Sequence, residues 1–356
     1  MKVSVMNDSQ KIILPGRRRG CITVPSSKSI AHREIIAAAL SATEGPIVRG
    51  ESNDTLATRA CLRAMMAGEN VWPCGESGST LRFLTPIAGV LGYRGEFKCE
   101  GRLADRPRMP FERKARYEIA GNVSSQFISG LLMALPLADW DSEIVVIGNL
   151  ESSAYVDLTE DVLRASGIRF EKNGSSWKIR GGQKYAIPGG REVEGDWSQA
   201  AFFLAMGVEV NGVKSDSKQG DRAVVELLEK RLVDAAPVPD LIPALAAHAA
   251  FRDGETRFVN CGRLRLKESD RLESTCAMVN AGGGDAHIEG DELLVVGKAE
   301  GGKPVETIRT FGDHRIAMAA AVMACGCTHP LTIDDASVVA KSYPGFWRDF
   351  ESLTIC

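Results

Sequence analysis

The sequence lacks the features that mark several large classes of protein: paired cysteines, long apolar runs and an excess of basic residues. Its nine cysteines form no Cys-x-x-Cys pair, and scattered thiols in a chain of 356 residues favour a reducing compartment over a disulfide scaffold. No apolar run approaches the roughly 18 residues that span a bilayer, and residues 1–16 lack the apolar core of a signal peptide. The formal net charge of −3 argues against a general polyanion binder. We therefore expect a cytoplasmic protein with no membrane or nucleic-acid partner.

An apolar, alanine-rich segment that follows a small polar or acidic turn recurs along the chain. Each copy is apolar on nearly all sides, which predicts a helix buried at the centre of a domain. The copies lie at 25–40, 75–91, 122–138, 194–207, 237–251 and 311–326. More amphipathic helices that open at an acidic residue are predicted at 53–65, 156–167, 220–232 and 269–283.

Two stretches, 168–181 and 286–298, alternate polar and apolar residues around Asn-Gly and Gly-Asp turns and predict β-hairpins. The remaining intervals between apolar segments are shorter by the length of a hairpin. We therefore expect three truncated units, with joins near 68–72, 111–117 and 232–238. The sequence leaves open whether these hairpins are truly deleted.

Six such α/β units predict two domains of three units each, because 356 residues are many for a single core. We expect one domain at 15–212 and the other at 1–14 together with 213–356. The cleft between two domains is a common place for a small-molecule site, and we expect the active site there.

Positively charged residues stand at the helix starts and turns of these units, where free N–H groups and the helix dipole attract anions. Taken alone, each of these segments has a plainer interpretation. Residues 25–29 are typical of a capped helix start, and 262–272 of a salt-bridged surface. Asp196 is typical of an ordinary cap, and Asp240 of a cap or a base. Together, however, converging cations repel one another unless anions join them. We expect small, multiply charged anionic ligands and domain closure on binding. The cations are Lys28, Arg33, Arg82, Arg106, Lys267, Arg271, Arg315 and Lys341.

Seven ordered motifs between about residue 20 and residue 347 resemble those of the 5-enolpyruvylshikimate-3-phosphate synthase family. They are VPSSKSIAHR, CGESGSTLRFL, DRP, SSQFISGLLMALPLA, LRLKESDRL, FGDHRIAMA and KSYPGFW. The resemblance implies an α/β fold of two domains, each an inside-out barrel of three repeated α/β units with buried helices. It implies transfer of the enolpyruvyl group of phosphoenolpyruvate to the 5-hydroxyl of shikimate 3-phosphate, with release of phosphate and no metal or organic cofactor. It also implies a place in the shikimate pathway of aromatic amino-acid biosynthesis, and we expect a monomer.

By resemblance, each motif residue receives a role. The residues expected to bind shikimate 3-phosphate are Lys28, Ser29, Arg33, Ser124, Ser125, Gln126, Ser152, Tyr155, Asp240 and Lys267. Those expected to bind phosphoenolpyruvate are Lys28, Gly78, Arg82, Arg106, Gln126, Arg271, Arg315 and Lys341. The catalytic set is Lys28, Asp240, Glu268, His314 and Lys341. Gly78 also stands where the family binds the inhibitor glyphosate.

The implied reaction is an addition followed by an elimination. Asp240 is the expected base at the 5-hydroxyl, while Glu268 and Lys28 exchange protons with the reacting carbon. Two residues depart from the family pattern, since Glu76 and Arg263 stand where members have asparagine. Two alternatives remain: the related transferase that acts on a UDP-amino sugar, and a trimmed, non-catalytic anion-binding protein.

Overall fold

The structure, a computed structural model, describes residues 9–106, 108–121 and 124–356. The α-helices are α1 (Lys28–Leu40), α2 (Asn53–Met66), α3 (Gly78–Leu91), α4 (Ser125–Ala134), α5 (Ser153–Ala165), α6 (Trp197–Ala205), α7 (Val224–Leu227), α8 (Ile242–Ala249), α9 (Arg271–Ala281), α10 (His314–Gly326) and α11 (Phe346–Glu351). The strands are β1 (Lys11–Ile13), β2 (Arg18–Arg19), β3 (Cys21–Thr23), β4 (Val71–Gly75), β5 (Glu96–Cys99), β6 (Arg116–Ala120), β7 (Ser142–Ile147), β8 (Phe170–Asn173), β9 (Ser176–Ile179), β10 (Glu209–Asn211), β11 (Leu232–Asp234), β12 (Gly254–Val259), β13 (Ala286–Glu289), β14 (Glu292–Gly297), β15 (Leu331–Ile333) and β16 (Thr354–Ile355). No helix among the described residues is long and apolar enough to cross a membrane.

The chain divides into two compact units, each with its own core. The N-terminal unit comprises Ser26–Glu194 and Lys218–Gly220, and the C-terminal unit comprises Gly195–Ser217, Asp221–Cys356 and the described residues before Ser26. These bounds differ from the expected 15–212 and 1–14 with 213–356. The reason is that β3 pairs in parallel with β10, and the phenylalanines of α6 pack against Phe346 in the C-terminal core.

Among the residues that the structure describes, each unit has one repeat with a four-stranded sheet, and these two repeats share the same topology. In the N-terminal unit a four-stranded sheet has the order β6-β7-β9-β8, with α4 and α5 as the intervening helices. In the C-terminal unit the order is β11-β12-β14-β13, with α8 and α9 in the same places. In both sheets the first pair is parallel and the other two are antiparallel. Both predicted hairpins are confirmed as β8–β9 and β13–β14.

The other repeats are cut short. The parallel strands β4 and β5 form a two-stranded sheet, and the chain passes from α2 to β4 through a turn in which Gly68 has φ +75°. The predicted helix at 220–232 is wrong in length, because only a 3₁₀ turn (Gly220–Ala223) and the four-residue α7 form. Leu232 is already paired with Arg257 in β11, so the chain must leave the helix before it.

The alanine-rich helices are buried as expected. In α10 every residue from His314 to Ala324 is buried, and α6 and α8 share its core. In the N-terminal unit the helices α1, α3 and α4 are buried together in one core. A Cβ atom at Gly130 of α4 would overlap the carbonyl oxygen of Arg82 in α3, so these two helices pack backbone against backbone. This contact fixes Arg82 relative to the start of α4.

The close packing of α3 and α4 leads to a first prediction. Gly130→Ala forces a methyl group against the backbone of Arg82, and overpacking of this kind costs about 1–3 kcal/mol of unfolding free energy. Urea unfolding measures the loss.

The matched control is Gly89→Ala in α3, where the three atoms nearest to the added methyl belong to the side chain of Phe111 and not to the backbone. A smaller loss is expected there. A loss at Gly130 no greater than that at Gly89 would contradict this packing.

Candidate active site

The residues expected to act together fall into two groups, one in each unit, which lie at helix starts and in connecting turns. The hydrogen bonds and ion pairs described below for each group join residues of the same unit. The N-terminal group contains Lys28, Ser29, Arg33, Gly78, Arg82, Arg106, Ser124, Ser125, Gln126, Ser152 and Tyr155. The C-terminal group contains Asp240, Lys267, Glu268, Arg271, His314, Arg315 and Lys341.

Lys28 is the first residue of α1 and forms a half-buried ion pair. Its Nζ donates to Asp54 Oδ2 at 2.8 Å. The expected serine cap is absent, because the Ser27 hydroxyl donates to Gln219 Oε1 at 2.9 Å instead of capping the helix. Sequence reasoning missed Asp54 because an acid in a first helical turn suggests helix capping. In the structure Ser52 caps α2, which leaves the Asp54 carboxylate to Lys28.

Two guanidinium groups converge on the start of α3. A Cβ atom at Gly78 would lie 2.9 Å from Arg82 Nη1 and 3.3 Å from Arg106 Nη1. Arg82 Nη1 also donates to Gln126 Oε1 at 2.6 Å, and Gln126 Nε2 donates to Ser79 Oγ at 3.0 Å. Because Gly78 has no side chain, the two guanidinium groups and the amide of Gln126 can approach one another at this point.

Arg33 is a buried link between α1 and α5. Its Nη2 donates to the carbonyl oxygen of Tyr155 at 2.7 Å and its Nε to Thr159 Oγ1 at 2.7 Å. Another donor reaches the carbonyl oxygen of Ser29. Burial lowers the pKa of Arg33 to about 9, so the side chain is still charged at neutral pH. Arg33 thus holds together the turns that carry Ser29 and Tyr155.

The remaining serines of the N-terminal group lie at the starts of α4 and α5. Ser124 caps α4 by accepting from the Gln126 N–H at 3.3 Å, and Ser125 is buried behind it. Ser152 precedes α5 and is buried with φ 54°. A residue other than glycine in this left-handed region is uncommon and strained, which marks the turn as a special one.

Asp240 is the centre of the C-terminal group. Its Oδ1 accepts from Arg271 Nη1 at 2.8 Å and from Lys267 Nζ at 3.2 Å, and its Oδ2 accepts from Arg315 Nη2 at 3.0 Å. It does not cap α8, whose N-cap is Leu241. Burial alone would raise the pKa of Asp240, but the three cations hold it well below its usual range.

Arg271 begins α9 and is the most deeply buried cation of this group, with 1% of its side chain exposed. Its Nε donates to Asp313 Oδ2 at 2.9 Å and its Nη2 to Asp313 Oδ1 at 3.3 Å. The same Nη2 contacts Glu268. Burial would lower the pKa of Arg271, but Asp313, Glu268 and Asp240 raise it. One guanidinium therefore orients three carboxylates.

The remaining members of the C-terminal group are Lys267, His314 and Lys341. Burial, with a smaller effect from Arg271, lowers the pKa of Lys267 to about 8 although Asp240 opposes it. His314 is buried at the start of α10, with Nδ1 3.7 Å from Asp313 Oδ1. Lys341 is buried at the end of the 3₁₀ turn Ser337–Lys341, which packs against α10.

Solved structures with this arrangement of elements identify the fold. An EPSP synthase from Acinetobacter baumannii superposes with a TM-score of 0.75 at 23% identity, covering 98% of this chain and 100% of that one. The enolpyruvyl transferase NikO from Streptomyces tendae superposes with a TM-score of 0.65 at 14% identity, covering 98% of both chains. The fold is that of the enolpyruvyl transferases.

Sequence relatives identify the family within that fold. A family model described as EPSP synthase (3-phosphoshikimate 1-carboxyvinyltransferase) matches residues 14–71, 104–231 and 206–350. Proteins named 3-phosphoshikimate 1-carboxyvinyltransferase from Clostridium perfringens (strain ATCC 13124) and Clostridium kluyveri are each 36% identical to it, covering 96% of this chain and 97% and 96% of their own. The chain belongs to the EPSP synthase family.

The length of the alignment bears on the shortened repeats. With the Clostridium perfringens relative it runs over 418 residues, whereas this chain has 356. That relative therefore contains segments without a counterpart here, in agreement with the truncated units.

The charges around Asp240 predict a pH-dependent stability. Its pKa in the folded protein lies below the ordinary value of about 3.9, so it stabilises the fold above that pH and this contribution is lost as the pH falls through the folded pKa. Asp240→Asn leaves three cations without this partner, and we expect a loss of about 3 kcal/mol of unfolding free energy at pH 7. The difference from the unmutated protein should shrink as the pH falls below about 3.9, where the unfolded carboxylate begins to take up its proton.

Urea unfolding at several pH values measures this difference, with the exposed Asp253→Asn as the control of equal charge change. A loss at Asp240 that is the same at pH 3 and pH 7, or no larger than that at Asp253, would contradict the electrostatic origin.

Proposed function

We propose that the protein transfers the enolpyruvyl group of phosphoenolpyruvate to the 5-hydroxyl of shikimate 3-phosphate and releases phosphate, as a step of the shikimate pathway. One observation carries the residue assignment: the cations of both groups lie in the first two turns of helices or in connecting turns, within motifs that resemble those of the family. Each substrate carries a phosphate and a carboxylate, and arginine binds both groups through paired hydrogen bonds.

The N-terminal group is proposed to bind the substrate anions. Arg82, Arg106 and Gln126 converge at Gly78 and hold phosphoenolpyruvate. Lys28 contacts both substrates, and its ion pair with Asp54 breaks when they bind. The turns joined by Arg33 present Ser29 and Tyr155 to shikimate 3-phosphate, together with Ser124, Ser125 and Ser152.

The C-terminal group is proposed to supply the proton transfers. In the addition step the 5-oxygen forms a bond to C2 of phosphoenolpyruvate, Asp240 accepts the hydroxyl proton, and C3 receives a proton from Glu268 or Lys28. In the elimination step the C–O bond to phosphate breaks, C3 returns its proton to the residue that supplied it, and the proton held by Asp240 leaves with the phosphate. Arg271, Arg315, His314 and Lys341 stabilise the negative charge of the departing phosphate, while Lys267 binds shikimate 3-phosphate.

Asp240 suits the role of a base only when the substrates are bound. In the free protein its cations keep its proton affinity low. Substrate anions that engage Arg315 and Lys267 offset this positive charge, so the proton affinity of Asp240 rises where the reaction needs it.

The two alternatives are less well supported. In the sugar-nucleotide transferase a loop cysteine acts as an acid, but Cys99 ends strand β5, and burial raises its pKa to about 11. A non-catalytic binding protein would not need the Asp240, Glu268 and Arg271 network. The cytoplasmic location and the monomeric state stay predictions.

A phosphate-release assay tests the proposed function. Release should require both phosphoenolpyruvate and shikimate 3-phosphate. Release with a UDP-amino sugar in place of shikimate 3-phosphate would favour the related transferase, and binding of shikimate 3-phosphate without release would favour the non-catalytic protein.

Gly78→Ala tests the assignment of the phosphoenolpyruvate site. The added methyl would lie within 3.3 Å of Arg82 Nη1 and Arg106 Nη1 and displace both guanidinium groups. Displacing a charge-assisted hydrogen bond costs about 1.5–3 kcal/mol, so we expect KM for phosphoenolpyruvate to rise by about tenfold or more. KM for shikimate 3-phosphate should change less.

The control is Gly45→Ala, whose methyl would lie 2.8 Å from Nη1 of Arg59, an arginine assigned to neither substrate. An equal rise in KM for phosphoenolpyruvate in both variants would contradict the assignment.

A further inference from the structure

Three cysteines of the N-terminal unit lie together, and the proposed function uses none of them. Cys61 on α2 and Cys74 on β4 are fully buried, whereas Cys99 at the end of β5 is partly exposed to solvent. The thiol of Cys74 forms side-chain hydrogen bonds with both of the other thiols. Cys74 and Cys99 are therefore in contact, and Cys99 is within reach of a small reagent.

The pairing of β4 with β5 explains why these two thiols meet. In this parallel pair Trp72 lies opposite Phe97, and their rings are 4.8 Å apart. Two residues further along each strand, after a register shift at this point, Cys74 and Cys99 lie on the same inner face as the rings. Neighbouring strands lie about 4.8 Å apart, and a disulfide needs Cα atoms roughly 4.4–6.8 Å apart. This strand pair therefore offers the spacing that a disulfide requires.

Both strands end next to the site assigned to phosphoenolpyruvate. Cys74 Sγ donates to the carbonyl oxygen of Ser77, the N-cap of α3, at 3.4 Å. A Cβ atom at Gly78, the next residue, would lie 3.3 Å from Arg106 Nη1. A single 3₁₀ turn separates Cys99 from Arg106. One thiol thus contacts the start of α3, and the other begins the segment that carries the guanidinium group.

The two segments that leave these strands are also joined to each other. The N–H of Glu100 donates to the carbonyl oxygen of Gly75 at 2.8 Å. A Cβ atom at Gly101 would overlap the carboxylate of Glu76 at 2.1 Å, so the two segments pack closely. A displacement of either strand end is therefore transmitted to the turns around Gly78.

We propose that hydrogen peroxide oxidises Cys74 and Cys99 to a disulfide, and that this bond reversibly weakens the binding of phosphoenolpyruvate. The Cys99 thiolate attacks the peroxide, and the O–O bond breaks to give a sulfenic acid and one molecule of water. Cys74 then attacks the Cys99 sulfur, the S–O bond breaks, and the thiol proton of Cys74 leaves in a second water molecule. The two thiols lose two electrons, which reduce the peroxide. This inference rests on the proposed function for the identity of the ligand.

The disulfide would alter the start of α3 in two ways. It brings the two sulfur atoms from hydrogen-bonding contact to about 2.0 Å, which draws the strand ends together. It also removes the S–H group that donates to the carbonyl oxygen of Ser77. A thiol reductant restores both features.

The proton affinities of the thiols predict how the rate depends on pH. Burial raises the pKa of Cys99 to about 11, and the hydrogen bond with Cys61, together with burial, raises the pKa of Cys74 above its usual range. Because only the thiolate attacks, formation of the disulfide should accelerate by about tenfold per pH unit between pH 7 and pH 9. A rate that does not change with pH would overturn the assignment of Cys99 as the attacking thiol.

Peptide mapping by mass spectrometry after peroxide treatment of the full chain tests for the bond. Basic residues between the three cysteines allow trypsin to place them on separate peptides. We expect one pair of peptides linked through Cys74 and Cys99, and separated again by dithiothreitol. In the same samples KM for phosphoenolpyruvate should rise by about threefold or more, as expected when one hydrogen bond is loosened. KM for shikimate 3-phosphate should change less, and the reductant should restore both values.

Two variants serve as matched controls. Cys99→Ser cannot form the bond and should keep its KM for phosphoenolpyruvate after peroxide treatment. Cys61→Ala retains both partners and should respond as the unmutated protein does. A bond between Cys61 and Cys74 instead, oxidation without a disulfide, an unchanged KM in the oxidised protein, or an equal response of the two variants would overturn the proposal.

Failure of the proposed function gives a different result. If the reduced protein releases no phosphate from the two substrates, the proposed function is wrong, while the disulfide is still detected by its mass. Hydrogen exchange at 78–82 then reports its effect on the start of α3. Faster exchange there in the oxidised protein supports the inference, and unchanged exchange overturns it.

Discussion

The structure of the C-terminal unit depends on one buried guanidinium. Arg271 contacts Asp240, Glu268 and Asp313 at once, and these residues lie at or next to the starts of α8, α9 and α10. Removing a charge from water costs several kcal/mol unless partners of opposite charge surround it. The need to compensate Arg271 therefore fixes the relative positions of three carboxylates, and through them the positions of Lys267 and Arg315.

In the N-terminal unit the buried positive charges are compensated by fewer carboxylates. Lys28 is paired with Asp54, but Arg33 is held by carbonyl and hydroxyl oxygens, and Arg82 contacts the neutral amide of Gln126. Neutral partners satisfy the donors without cancelling their charge. The two units thus differ in character, since the N-terminal helix starts keep a positive field suited to anions, whereas the C-terminal ones combine cations with groups that can accept protons.

Local patterns in the sequence were enough to predict the buried helices and both hairpins. Alanine-rich runs such as 316–324 have no polar face, and the Asn-Gly and Gly-Asp turns specify their hairpins without help from distant residues. The unit boundaries could not be predicted in this way, because pairing of Cys21–Thr23 with Glu209–Asn211 joins segments far apart in the chain. The shortness of α7 could not be predicted for the same reason, because the chain must leave this helix before β11 pairs with β12.

The sequence predicts the cations of the two groups more readily than their partners. Arginines and lysines at helix starts stand out, and the motifs placed them. Asp54, Asp221 and Asp313 were not predicted as partners of distant groups, because each lies where an acid usually caps a helix. Asp313 does cap α10, but each of the three also contacts a residue more than twenty positions away. Long-range charge compensation leaves no local pattern.

The central claim is that helix starts rich in charge bind the substrates, and hydrogen exchange measures this most directly. Backbone N–H groups in a first helical turn have no helical partner and exchange readily unless a ligand or cap protects them. Addition of shikimate 3-phosphate and phosphoenolpyruvate should slow exchange at 28–33, 78–82, 124–126 and 313–315, and leave the hairpins at 170–179 and 286–297 unchanged. Protection confined to the hairpins, or none at the helix starts under saturating substrates, would contradict the account.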